Sequence, residues 1–173
     1  MKAALVIVDM QEVLMPVVWQ GPELADRIRD LANRARENGV PVIALQQIGG
    51  PHFAPDAPGT RLCQSLNLRP EDTVIQKTAT DGFYRSDLAA ALDGVDTIVL
   101  TGVGTDYCVD ATARAAVSRG FDVILVEDGH STTDDPEAGL TAEQVVARHN
   151  RILSRAVHPG GTVKVRPAAE LFA

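Results

Sequence analysis

The stretch DTIVLTGVGTDYCVDATARAAVSRGFDVILVED, residues 96–128, decides the fold. Its first part, DTIVLTG (96–102), is an apolar run of strand length and reads as a buried strand. A glycine turn leads to the Ala-rich DYCVDATARAAVSRG (106–120), which predicts a helix closed by Gly120. FDVILVED (121–128) is the next strand. Strand, crossover helix and strand in succession imply a parallel pair with a right-handed connection.

The rest of the chain repeats this alternation. Residues 3–8, ending just before Asp9, form a continuous apolar run that reads as a strand buried on both faces. After Gly21, the segment PELADRIRDLANRAREN places Leu24, Ile28, Leu31 and Ala35 on one helix face, and Gly39 closes that helix. VPVIALQ (40–46), DTVIQK (72–77) and GTVKV (161–165) read as strands. SDLAAALDG (86–94) and TAEQVVARHNRILSRA (141–156) read as helices, the second opened by the capping pair Thr141 and Gln144. Between the strands at 40–46 and 72–77 lies IGGPHFAPDAPGT (48–60), whose three Gly and three Pro make it a loop, long enough to help shape a binding site. The expectation is one α/β domain over residues 1–173, a parallel sheet with helices on both faces.

Composition narrows the function. At 173 residues, 45% hydrophobic and 23% charged, the chain has the make-up of a globular protein. A net charge of −7 argues against nucleic-acid or anionic-membrane partners, which need clustered Lys and Arg. No apolar run approaches the roughly 20 residues that span a bilayer. The opening MKAALVIVDMQ is too short for a signal peptide, and two cysteines, Cys63 and Cys108, make no disulfide framework. A cytoplasmic location is the expectation.

In parallel α/β sheets, sites lie at the carboxyl ends of the strands. The polar residues there are Asp9, Gln11, Lys77, Thr101 through Cys108, and Asp128 with His130. Cys108 is expected to open a helix, where free N–H groups favour a thiolate, the nucleophilic form. Its neighbours also allow the plainer reading of a small buried residue. Asp9 ends a buried strand, so it is either a turn cap or a partly desolvated base. Lys77 is unremarkable alone. Together the three supply base, electrostatic orienter and nucleophile. Aromatic residues are only 4% of the chain, so Trp19, Phe83 and Tyr107 join Gln11 and His130 as pocket candidates. Gly102-Val-Gly104 begins like a dinucleotide fingerprint, but Tyr107 fills the third glycine position. The histidines His52, His130, His149 and His158 lack metal-ligand spacing, so no metal and no cofactor are expected.

Three blocks carry a wider likeness: VIVDMQ (6–11), QKTATDGFY (76–84) and TGVGTDYCVDATARAAVSRGFDVILVEDGHST (101–132). In order and spacing the chain resembles the isochorismatase-like cysteine hydrolase superfamily. The resemblance implies a three-layer α/β/α sandwich, Rossmann-like, with a six-stranded parallel sheet of order 3-2-1-4-5-6. It implies a catalytic triad of Asp9, Lys77 and Cys108, a cis peptide between Val103 and Gly104, and an oxyanion hole from the amides of Gly104 and Cys108. It also implies a homodimer or homotetramer, which the apolar faces of the 141–156 helix suggest independently. Members that hydrolyse nicotinamide carry an Asp-x-His…His metal motif, absent near His52. True isochorismatases lack the cysteine, so Cys108 points to acyl transfer. Asp81-Gly82-Phe83 replaces the family's usual Ser-Ala-Phe at the pocket edge.

The expected function is a metal-independent amidohydrolase acting on a small-molecule amide through a thioester. Alternatives are an ester or lactam substrate for the same triad, or a catalytically silent oligomeric or ligand-binding member. A poised Cys108 is expected to alkylate at neutral pH much faster than Cys63.

Overall fold

A computed structural model of the chain describes residues 2–172. Strands β1 (Ala3–Val8), β2 (Val42–Gln47), β3 (Thr73–Lys77), β4 (Thr97–Val103), β5 (Asp122–Ser131) and β6 (Val163–Arg166) form one sheet. Every pair is parallel, and the order is β3-β2-β1-β4-β5-β6. Helices flank both faces, giving the expected three-layer α/β fold.

The pleat sends alternate residues of β1 to opposite faces. Ala4, Val6 and Val8 pack with α2 (Leu88–Ala91) and α3 (Asp110–Ser118). Leu5 and Ile7 pack with α1 (Gly21–Glu37), through Leu24, Ile28, Leu31 and Ala35. Those four are the residues that the helical spacing singles out. The last helix, α4 (Ala142–Arg155), starts on a full capping box between Thr141 and Gln144 and drives Leu153 into the α2–α3 side of the core.

Strand order reverses at β1, whose neighbours are β2 and β4. In such a sheet the crevice beyond the carboxyl ends at the reversal is the place for a ligand. Gly102 lets β1 and β4 approach here: its φ is +119°, and a Cβ would sit 2.1 Å from the Val8 carbonyl oxygen.

Three elements depart most from the sequence reading. The helix expected over 86–94 shortens to Leu88–Ala91. Ser86 Oγ caps the Leu88 N–H, Gly94 turns the chain at φ +73°, and one turn suffices to bury Leu88 and Leu92. The segment 106–120 is α-helical only from Asp110, because Thr105–Val109 forms a wider π-type turn. Strand β5 continues to Ser131 past an irregularity: Leu100 pairs with Leu125 but Gly102 with His130, so two steps along β4 match five along β5.

Candidate active site

Asp9, Lys77 and Cys108 converge at the reversal point. Asp9 follows β1 in a left-handed conformation, φ +49°, which aspartate tolerates better than most residues. Its N–H donates to the Leu45 carbonyl at 3.0 Å, which ties the turn to β2. Lys77 is the last residue of β3, and its side chain reaches past the end of β2. Its ammonium lies 2.8 Å from Asp9 Oδ2 and 3.3 Å from Cys108 Sγ, and donates also to Gln47 Oε1 at 2.7 Å and the Ala79 carbonyl at 3.0 Å. Lys77 and Asp9 are 1% and 3% exposed. The other carboxylate oxygen, Asp9 Oδ1, is buried and has no hydrogen-bond partner in the protein.

The electrostatics correct one expectation. Burial, and next the Asp9 charge, push the Cys108 thiol up to about 12, with Lys77 opposing them. The resting sulfur is therefore protonated rather than thiolate, and fast alkylation at neutral pH does not follow. The sulfur sits inside the π-type turn, not at the mouth of a regular α-helix, so the helix end gives it less than the sequence implies. Burial likewise raises the Asp9 carboxyl above the usual carboxylate range, against the pull of Lys77. A base of raised affinity beside a protonated thiol can take the thiol proton when a substrate arrives.

Asp9 and Cys108, with Gly104 beside them, line a cleft of about 540 Å³, and Lys77 lies behind them. The Val103–Gly104 peptide is cis, and the Gly104 carbonyl accepts from the Tyr107 and Val109 N–H groups. Tyr107 lines the cleft and is 64% exposed. Four other pocket candidates do not line it. Gln11 is fully buried: it donates to the Gln47 and Thr60 carbonyls and accepts from the Gln47 N–H, so it fixes the end of β2. Phe83 packs in the core with its ring 5.9 Å from that of Phe121 and Arg119 over it. Trp19 and His130 line a separate cavity of about 340 Å³ between α1 and α4. The Asp128 carboxylate, expected on the same rim, instead pairs with Arg27 and accepts from the Ala168 N–H.

His130 nonetheless reaches the turn that carries Cys108. Its Nδ1 lies 2.8 Å from Thr105 Oγ1 and its Nε2 3.0 Å from Asn150 Oδ1. Asn150 Nδ2 donates to the Glu127 carbonyl, which leaves Oδ1 as acceptor. His130 thus carries its proton on Nε2, and Thr105 donates to Nδ1. Burial drives its pKa down to about 4, so it is neutral.

Sequence reasoning missed Gln47, which holds Lys77, and the cleft walls Leu14, Val18, Thr78, Thr80, Thr132 and Thr133. His52 and Phe53 bring the 48–60 loop to the same cleft. Gln47 was findable: it is a polar residue at the carboxyl end of β2. Among the described residues, no three His, Cys, Asp or Glu side chains cluster closely enough to hold a metal ion.

The isochorismatase domain model matches residues 3–157. Two streptothricin hydrolase sequences from Streptomyces noursei are similar to this chain. One is 39% identical over 151 residues, 83% of this chain and 55% of that protein; the other is 37% identical over 175 residues, 96% and 68%. The chain thus spans between about half and two thirds of the length of these relatives. A maleamate amidohydrolase from Pseudomonas putida is 33% identical over 87 residues, covering 48% of this chain and 41% of that protein. The crystal structure of a cysteine hydrolase from Pseudomonas syringae pv. phaseolicola superposes with a TM-score of 0.88 at 25% identity, covering 99% of this chain and 91% of that one. The chain belongs to the isochorismatase family.

Proposed function

We propose that this protein is a cysteine hydrolase that cleaves a C–N bond of a small molecule, in an amide, carbamoyl or cyclic amide group. One observation carries the reading: Asp9 and Cys108 line a cleft that a small molecule can fill, and the Lys77 ammonium behind them lies 2.8 Å from Asp9 and 3.3 Å from Cys108. The relatives' names, streptothricin hydrolase and maleamate amidohydrolase, support hydrolysis as the reaction class.

In the proposed reaction, Asp9 takes the thiol proton as Cys108 sulfur bonds to the carbonyl carbon. The carbonyl π electrons move to oxygen, and the amides of Gly104 and Cys108 receive the oxyanion. One such donor is typically worth about 3 kcal/mol of barrier. Collapse of the intermediate breaks the C–N bond, and the proton on Asp9 goes to the leaving nitrogen. Water then attacks the thioester and gives a proton to Asp9. The sulfur leaves and recovers that proton, which restores the thiol and the carboxylate. Lys77 keeps Asp9 ionised between steps.

Turnover of a panel of carbamoyl, ureido, cyclic and aromatic amides, with esters alongside, tests the reading in wild type and Cys108→Ala. Loss of turnover in the variant is expected, and full activity there overturns the proposal. Self-association into a homodimer or homotetramer is proposed with it, and sedimentation velocity decides that point.

A further inference from the structure

The cleft's charge pattern bears on what it admits. Among the described residues, no lysine or arginine lines it. Lys77 lies behind the floor, and its ammonium already meets Asp9, Gln47, Ala79 and Cys108 at 2.7–3.3 Å. That cation neutralises Asp9 and has nothing left for a second anion. One further carboxylate stands close by. Asp106 Oδ1 accepts from the hydroxyl of Thr132, a cleft-lining residue, at 2.6 Å. Among the described residues Asp106 has no ion-pair partner. The remaining walls are largely apolar, with Leu14, Val18, Phe53 and Tyr107. A carboxylate entering here loses water, meets no lysine or arginine among the lining residues and faces a residual negative field.

We infer that the cleft admits uncharged or cationic amides and turns away substrates that carry an anionic group. This rests on the hydrolase reading for the word amide, but the charge selection is testable without any turnover. The probes are three methanethiosulfonates: methyl, 2-sulfonatoethyl and 2-(trimethylammonio)ethyl. Each leaves a mixed disulfide on the attacking sulfur and releases methanesulfinate. In a Cys63→Ser background Cys108 is the only cysteine, and intact mass reports its modification. Rates are divided by those on 2-mercaptoethanol, at low ionic strength so that screening is small.

The neutral and cationic reagents are expected to modify Cys108 at least ten-fold faster, relative to the free thiol, than the anionic one. Equal rates, or preference for the sulfonate, overturn the inference. Thr80→Arg places a cation at an exposed cleft position and is expected to abolish the discrimination. Asp106→Asn is expected to reduce it two- to five-fold. A ratio unmoved by Thr80→Arg also overturns the electrostatic account. Among the described residues that line the cleft, His52 is the side chain able to carry positive charge. If the sulfonate reacts well in wild type and poorly in His52→Gln, that histidine receives anions and the inference fails. Loss of amide turnover with charge selection intact would instead count against the hydrolase reading alone.

Discussion

The Lys77 ammonium and the Asp9 carboxylate meet at 2.8 Å where both are almost sealed from water. Breaking a buried ion pair leaves an uncompensated charge, which costs about 3–5 kcal/mol. In Lys77→Met the orphan is Asp9, whose pKa burial already raises. A carboxyl whose folded pKa exceeds its unfolded value loses stability as pH rises through that folded pKa. The variant's deficit, by urea denaturation, is therefore expected to be largest at pH 8 and to shrink toward pH 5.

Asp9→Asn is expected to separate reactivity from catalysis. The Asp9 charge is one of the two largest causes holding the Cys108 thiol up, so its removal frees more thiolate. Alkylation of Cys108 by iodoacetamide at pH 8 should rise by roughly ten-fold for each unit its pKa falls. Turnover should drop by roughly 10²–10⁴, the usual worth of a general base. Slower alkylation in the variant would contradict the assignment of Asp9 as the group that keeps the thiol protonated.

His130 is expected to set an acid limit on stability. Its folded pKa, driven down to about 4 by burial, lies below the 6.5 of a free histidine. Between those values the unfolded chain binds a proton that the folded chain refuses, so stability is full above pH 6.5 and declines toward pH 4. The loss should be on the order of 3 kcal/mol by pH 4. His130→Gln should flatten this slope in melting curves measured across that window. Thr105→Val removes only the hydroxyl that donates to His130 and should lower kcat more than it raises KM, since Thr105 opens the turn carrying Cys108.

Gly102→Ala is expected to destabilise the fold severely, by roughly 4 kcal/mol. The new methyl would collide with the Val8 carbonyl in a backbone conformation that alanine rarely adopts. Equilibrium unfolding checks this, and a near-native midpoint would mean that β1 and β4 are less closely held than described.

The alternation of apolar runs with helical segments made the layers legible, because both buried faces of β1 and the single face of α1 leave periodic traces. The rim rule placed Asp9, Lys77 and Cys108 together, since each follows or ends a strand near the reversal. It failed where strand ends were misjudged. Ending β2 at Gln46 hid Gln47, the residue that seats Lys77. Ending β5 at Asp128 hid the irregularity that carries His130 away from the cleft while joining it to Thr105. Phe83 and Gln11 were drawn to the site by sequence proximity, but core packing and main-chain pinning hold them elsewhere. The thiol's protonation state was out of reach, because it depends on burial that only the assembled floor creates.

The most direct measurement is the mass of Cys108 during turnover. Enzyme quenched in acid while hydrolysing any active amide from the panel should carry the acyl part of that substrate on the peptide containing Cys108, and release it at neutral pH. Sustained turnover with Cys108 unmodified at every quench time, and with Cys108→Ala as active as wild type, would contradict the account.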